Sequence, residues 1–396
     1  MDRRGFLWAS TALAAGASGS GLTDALAAAP GVRVAAGLSI FDFGAVGDGV
    51  TDDSEAFAKA LQAAATQGRV VVVPSLTFAI ARPIRFASSG HVGSPWGLQC
   101  QGATLLSKIT SGEDVLSFGA SHTVRYFRLT GGLKIAGNGR EGNGLHISVP
   151  NNSGFFYNAA IEGLSVERVG GSGLMFTGNV FESSIQNSYF QDCGKDGATF
   201  GHAKGGVCSA ISIIDSFFNQ NSRYGMAAVN FDADYGGTTD IRVYGGYCRE
   251  NQSYGFYYNN GTAAGAAITQ VGFENNCKSL APGDANGAHV YGMVSMQLRN
   301  CTGYNEFGGA TYLLRGWFTS LTVLDGCAQS AGAAMAKTGK SRLVQVNGSD
   351  AGHVLMRACS GGVDVKQGTA CTWAAESCVG PSPLGPLKLR STLSNA

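Results

Sequence analysis

The chain has 396 residues, 59 of them glycine, and a formal charge of +1. Near-neutral charge without clustered Lys and Arg argues against nucleic acid as a partner, because phosphate binding needs concentrated cations. No second apolar segment follows the N-terminus, so the mature chain reads as soluble, with no membrane partner once a leader is removed.

The first residues, Met1-Asp2-Arg3-Arg4-Gly5-Phe6-Leu7-Trp8, lead into an Ala-rich apolar stretch and the small-residue segment Ala25-Leu26-Ala27-Ala28. This is the layout of an export signal. Arg3-Arg4-Gly5-Phe6-Leu7 resembles the twin-arginine class, so residues 1–28 are set apart as a leader and the protein is expected in the periplasm or secreted. A general secretory signal or a retained anchor is the competing reading.

The segment Phe41-Asp42-Phe43-Gly44-Ala45-Val46-Gly47-Asp48-Gly49-Val50-Thr51-Asp52-Asp53-Ser54-Glu55-Ala56-Phe57 comes next. It resembles the opening of the pectate lyase superfamily, which includes rhamnogalacturonase-like enzymes, mannuronan epimerases and phage tailspike depolymerases. Gly47-Asp48-Gly49 reads as a tight turn, and Asp52 with Glu55 as a capping box on a short helix. The stripe Ala56, Phe57, Ala60, Leu61 and Ala64 would then cover the open N-terminal end of the fold. The aspartates here are read as structural. Val70-Val71-Val72-Val73-Pro74 begins the first strand, and coils are expected from about Trp96 to Gly380.

Asn221, Asn251, Asn276 and Asn305 each stand three positions after Phe218, Cys248, Phe273 and Thr302, and a glycine follows those anchors at Gly225, Gly255 and Gly309. Gly173 and Gly197 keep the same offset from Val166 and Phe190. After Phe273 the glycine is delayed to Gly287 by an inserted loop. Repeats of roughly 22 to 32 residues with short β-type runs indicate a solenoid that buries each unit against its neighbours. Ile241-Arg242-Val243-Tyr244 suits a strand, not the 3.6-residue spacing of helical repeats. Stacked asparagines can bond one another, and Asn tolerates left-handed turns. The fold class is therefore all-β: one parallel β-helix domain over 38–380, including the helical cap, followed by a Pro-rich tail at 381–396. The resemblance makes it single-stranded and right-handed.

That resemblance also implies three strands per coil, with the asparagine turn between the second and third. Substrate would lie along the outside of the first strands, walled by the variable loops. Alternation along 241–244 buries Ile241 and Val243 and turns Arg242 and Tyr244 outward. The preceding loop carries Asp232, Asp234 and Tyr235, and an earlier one His202 and Lys204. Asp215 follows the neighbouring first strand, Arg299 lies two coils later, and Glu162 several coils earlier.

Two chemistries fit these residues. β-Elimination on a uronate polymer needs a cation for the sugar carboxylate (Arg242, Arg299 or Lys204) and an acid or base (Tyr244 or His202). Hydrolysis needs two carboxyl groups, for which Asp215, Asp232, Asp234 and Asp240 are candidates. C5-epimerisation removes the same proton and returns it from the opposite face. The expected function is a polysaccharide lyase on an acidic polysaccharide or oligosaccharide. A glycoside hydrolase, an epimerase or a non-catalytic glycan-binding protein are the alternatives.

The Asn-Thr-Asp, Asp-Asp and Gly-His-Gly set of polygalacturonases is missing, Gly201-His202-Ala203 being a fragment of the last, and so is the Asp-Pro-His segment of mannuronan epimerases. Asp232 and Asp234 can equally form side-chain turns or hold Ca2+, the one cofactor suggested. Tyr224 and Tyr254 are read either as structural stacking or as a sugar platform, and Tyr257 and His289 as an outward column with His146. The ten cysteines show no Cys-x-x-Cys pair and read as buried thiols, with a disulfide near Cys371 and Cys378 as the exception. The assembly is expected to be a monomer or a homotrimer.

Overall fold

The computed structural model describes residues 37–378 except 89, 150–153, 203–205, 231–237, 260–264, 293–295, 308–309, 315–320, 332, 339–341, 347–352, 362 and 366–371. The expected leader and tail, with Lys204, Asp232, Asp234, Tyr235, Gly309 and Cys371, lie outside the described residues.

Each coil gives one strand to each of three parallel sheets. Cys208–Ile214 belongs to sheet A, Phe217–Asn219 to sheet B and Met226–Asn230 to sheet C, and the chain then re-enters sheet A with Thr239–Tyr244. The strands pair in parallel and in register, as in Ile211↔Ile241, Phe218↔Cys248 and Met226↔Phe256. Inward side chains therefore stack from coil to coil, and Phe190 lies on Phe218 with ring centroids 5.2 Å apart. The coils begin earlier than expected: Val70–Val73, Thr77–Ile80 and Ile84–Ser88 already belong to sheets A, B and C.

The N-terminal end is closed by helix α1, Ser54–Gln67, whose Phe57, Ala60, Leu61 and Ala64 are fully buried. The expected capping box is not formed. Asp53 holds the N-cap position, and its carboxylate accepts from Val46 N (2.7 Å) and Gly47 N (3.1 Å) to tie down the glycine turn. Asp52 accepts from Ser54 N (3.1 Å) and Arg82 Nε (3.0 Å), while Glu55 pairs with Lys59 at 2.7 Å. The aspartates of the opening motif thus organise turns, as expected.

The asparagine column is a hydrogen-bonded ladder. Asn221 Nδ2 donates to Asn251 Oδ1 (2.9 Å), and Asn251 Nδ2 donates to Asn276 Oδ1 (2.7 Å) and to Phe218 O (3.0 Å). The left-handed conformation falls on the residue before each asparagine, at Gln220 (φ 55), Glu250 (φ 54) and Asn275 (φ 48). The recurring glycines have a packing cause: a Cβ on Gly225 or Gly255 would meet the Nδ2 of Asn251 or Asn276 at 3.0 or 2.9 Å.

Register corrects two expectations. Phe273 pairs with Gly303, so Thr302 is one residue short of the apolar column, and Asn305 ends a strand outside the ladder. Phe256 pairs with Val290, so His289 occupies the glycine position and is fully buried, while Tyr291 shares the outward column with Tyr257. The inserted loop at 278–284 obscured this shift.

Sheet A is bent along its length. Tyr126, Asn158, Glu182, Ala210 and Asp240 adopt positive φ (50 to 58°) at successive coils and split a short outer strip from the main strand. Such residues cost roughly 1–2 kcal/mol each, and the repeated bend fixes how the loops enter the sheet. The nine described cysteines are free and, except Cys378, buried. Cys301, Cys327 and Cys359 stack at equivalent turns, following the paired residues Arg299, Asp325 and Arg357. Burial pushes the thiols of Cys100, Cys208 and Cys277 up to about 12. Among the described residues no helix is long and apolar enough to cross a membrane.

Candidate functional site

The outer face of sheet A carries two columns of side chains. One contains Glu162, Gln186, Ile214, Tyr244, Thr269 and Arg299, each paired in register with the next. The strand alternation behaves as expected, with Ile241 and Val243 buried and Tyr244 51% exposed. From the 4.7–4.9 Å strand spacing, Tyr244 and Arg299 are about 10 Å apart along the axis and Tyr244 and Glu162 about 14 Å.

Arg242 stands on the same strand as Tyr244, in the second column. Its Nε donates to Asp240 Oδ1 at 2.9 Å, and its terminal nitrogen to the other oxygen, in a pair open to solvent. Exposed pairs of this kind hold by roughly 0–1 kcal/mol, so a ligand carboxylate can compete for the guanidinium. Arg299 is exposed and has no ion-pair partner among the described residues. Asp215 lies at the turn between sheets A and B with φ 45, its carboxylate against Gly245, whose missing Cβ leaves the space.

The structure thus brings together Arg242, Tyr244, Asp215 and, further along the axis, Arg299 and Glu162. It does not bring His202 onto this face: its backbone pairs with Asn230 at the end of sheet C, and its side chain lies outside the description, as do Lys204, Asp232, Asp234 and Tyr235. Among the described residues no group of three His, Cys, Asp or Glu is arranged to hold a metal.

Sheet C carries a second polar system, of which sequence reading named His146, in the outward column it shares with Tyr257, but not its partners. Asp114 Oδ2 lies 2.7 Å from His146 Nδ1, and His146 Nε2 lies 2.9 Å from Thr177 Oγ1. Burial alone would raise the Asp114 carboxyl, but His146 and the Asn143 backbone hold it below the usual value. Further along, Tyr224 stacks on Tyr257 at 4.5 Å and Tyr257 on Tyr291 at 4.8 Å, with the Arg223 guanidinium 4.9 Å above Tyr224. These ring faces are occupied by one another, which makes the column structural. Burial pushes the Tyr224 phenol up to about 12. Partners such as Asp114 and His146 are one coil apart in sequence, so no local motif joins them.

The family described as rhamnogalacturonase A/epimerase, pectate lyase-like, matches residues 38–113. No curated protein sequence matches the chain. Among solved structures, the A-module of mannuronan C-5 epimerase AlgE6 of Azotobacter vinelandii is 18% identical, with a TM-score of 0.57, over 87% of this chain and 100% of that one. The AlgE4 A-module of the same organism is 19% identical, with a TM-score of 0.52, over 88% and 98%. The N-terminal fragment of bacteriophage Phi29 gene product 12 is 16% identical, with a TM-score of 0.57, over 86% and 66%. At these identities the structures share the fold alone, a right-handed parallel β-helix, and the likeness to the pectate-lyase-like family is carried by residues 38–113.

Proposed function

We propose that the chain is a polysaccharide lyase that cleaves a uronate-containing polymer by β-elimination. The observation that carries this reading is the exposed Tyr244 on the outer face of sheet A, with Arg242 beside it and Arg299 two coils along its own column. A guanidinium on the uronate carboxylate stabilises the charge that develops when the C5 proton leaves. Tyr244, as phenolate, takes that proton, or as phenol donates one to the departing oxygen as the C4–O bond breaks and the C4–C5 double bond forms. Hydrolysis is less well served: Asp240 is engaged by Arg242, which leaves Asp215 as the nearby carboxylate among the described residues.

Epimerisation is the second reading, because the two Azotobacter vinelandii modules that share this fold over nearly their whole length are mannuronan C-5 epimerases. Both readings begin with loss of the C5 proton and differ in whether the C4–O bond then breaks. The test is incubation with polygalacturonate and alginate. Ultraviolet absorbance of the unsaturated product marks a lyase, changed uronate composition without cleavage marks an epimerase, and new reducing ends without absorbance mark a hydrolase and overturn the proposal.

A further inference from the structure

The second outward column of sheet A runs Arg128, Ala160, Ser184, Ser212 and Arg242, each in register with the next. Three small side chains lie between two guanidiniums, whose backbones are about 19 Å apart at the 4.7–4.9 Å strand spacing. Longer side chains rise on one side from the column of Glu162, Gln186 and Tyr244. On the other side, beyond the left-handed bend, stands the outer strip of Arg125, Tyr157, Phe181, Ser209 and Thr239. The small column therefore forms the floor of a trough parallel to the coil axis.

The outer wall is aromatic where it faces Ala160 and Ser184. Tyr157 and Phe181 stack at 5.2 Å, and Phe155, 40% exposed, lies 5.7 and 6.0 Å from them. The Arg125 guanidinium sits 5.1 Å from the centre of the Tyr157 ring. Phe181 and Arg125 cover the Tyr157 ring, so the wall offers the trough the remaining ring surface and Phe155; with Arg125 and Arg128 beside it and Arg242 further along the axis, it fits a ligand with apolar faces and negative charge. A uronate chain has both: sugar C–H faces for the aromatics and a carboxylate on each residue for Arg125, Arg128 and Arg242. Glu162, on the opposite wall, suits sugar hydroxyls.

We propose that Tyr157 and Phe181 form the apolar wall of a subsite for an acidic oligosaccharide, three and two coils, or about 14 and 10 Å, from Tyr244. This rests on the reading of the sheet A face as the substrate side. By holding a sugar at a fixed distance from Tyr244, the subsite selects which residue of the polymer reaches that side chain.

Titration calorimetry with oligogalacturonate and oligomannuronate, and with neutral maltooligosaccharide as control, tests the subsite directly. Tyr157→Ala and Phe181→Ala should each weaken oligouronate binding about tenfold, as truncation of an aromatic anchor does. Tyr157→Phe should bind like the parent, and melting curves should show every variant folded, since both side chains are half-buried on the outer face and neither lies in the interior core. Unchanged affinity in both alanine variants, or no oligouronate binding by the parent, overturns the proposal. Wall-dependent binding without any unsaturated product would leave the subsite standing and remove the lyase reading. Lyase turnover with unaltered KM in the alanine variants would do the reverse.

Discussion

Asp196, with no exposed side-chain surface, accepts from Arg223 Nε at 2.7 Å and from the guanidinium's terminal nitrogen at 2.6 Å across one coil. The same carboxylate accepts from Thr199 Oγ1 (2.6 Å) and Tyr224 N (3.2 Å), so one buried charge ties three coil elements together. Removing the arginine leaves that charge without its cation and frees the end of the tyrosine stack. Arg223→Ala should lower stability by about 2–3 kcal/mol in urea unfolding, with Arg223→Lys in between because it cannot reproduce the two-pronged contact.

Within the asparagine ladder, position decides the cost. Asn251 accepts from Asn221 N and Nδ2 and donates to Phe218 O and Asn276, so Asn251→Ala strands several buried groups. The expected loss is about 3 kcal/mol or more. Outside the ladder, Asn305 accepts from Phe307 N at 2.9 Å and its Nδ2 has no partner among the described residues, so Asn305→Ala should cost about 1 kcal/mol. Equal losses in the two variants would contradict the ladder.

Acid should destabilise the fold through His289. Burial lowers its pKa from 6.5 to about 3, only partly opposed by the Tyr304 backbone. Asn276 Nδ2, which also donates to Cys248 O, faces the ring Nδ1 at 3.1 Å and suits an unprotonated acceptor there. Between pH 6.5 and about 3 the unfolded chain binds a proton at this residue that the folded chain does not. Stability is therefore complete above 6.5 and falls as pH falls across that window, by at most on the order of 5 kcal/mol. His289→Gln should flatten this slope in denaturation curves taken across the window.

Catalysis should separate from binding on the sheet A face. Tyr244→Phe removes the hydroxyl and is expected to reduce kcat by about 100-fold or more, with oligouronate affinity retained. Arg299→Gln should raise KM more than it lowers kcat, because its place two coils away suits a carboxylate on a neighbouring sugar. Full turnover by the phenylalanine variant would take Tyr244 out of the reaction.

Much of the architecture was legible because its causes recur. The asparagine column, the alternation at Ile241 to Tyr244 and the apolar stripe of α1 each repeat a local physical requirement, and each appears in the structure as expected. The errors fall where repetition was interrupted: the loop after Asn276 misplaced His289, and the strand at Thr302–Asn305 was set one residue out. In the cap, Asp52 and Glu55 have the spacing of a capping box, but Arg82 and Lys59 take their carboxylates instead.

Sequence alone determined that the chain coils, that Arg242 and Tyr244 point outward from their strand, and that the opening aspartates serve turns, because those properties depend on neighbours within one repeat. Only the tertiary structure decided which outward residues share a column. The trough from Arg128 to Arg242, the aromatic wall of Tyr157 and Phe181, and the Asp114–His146 pair join residues about one or more coils apart. Their meeting depends on loop lengths and on the repeated left-handed bend in sheet A, neither of which leaves a local pattern in the residues that meet.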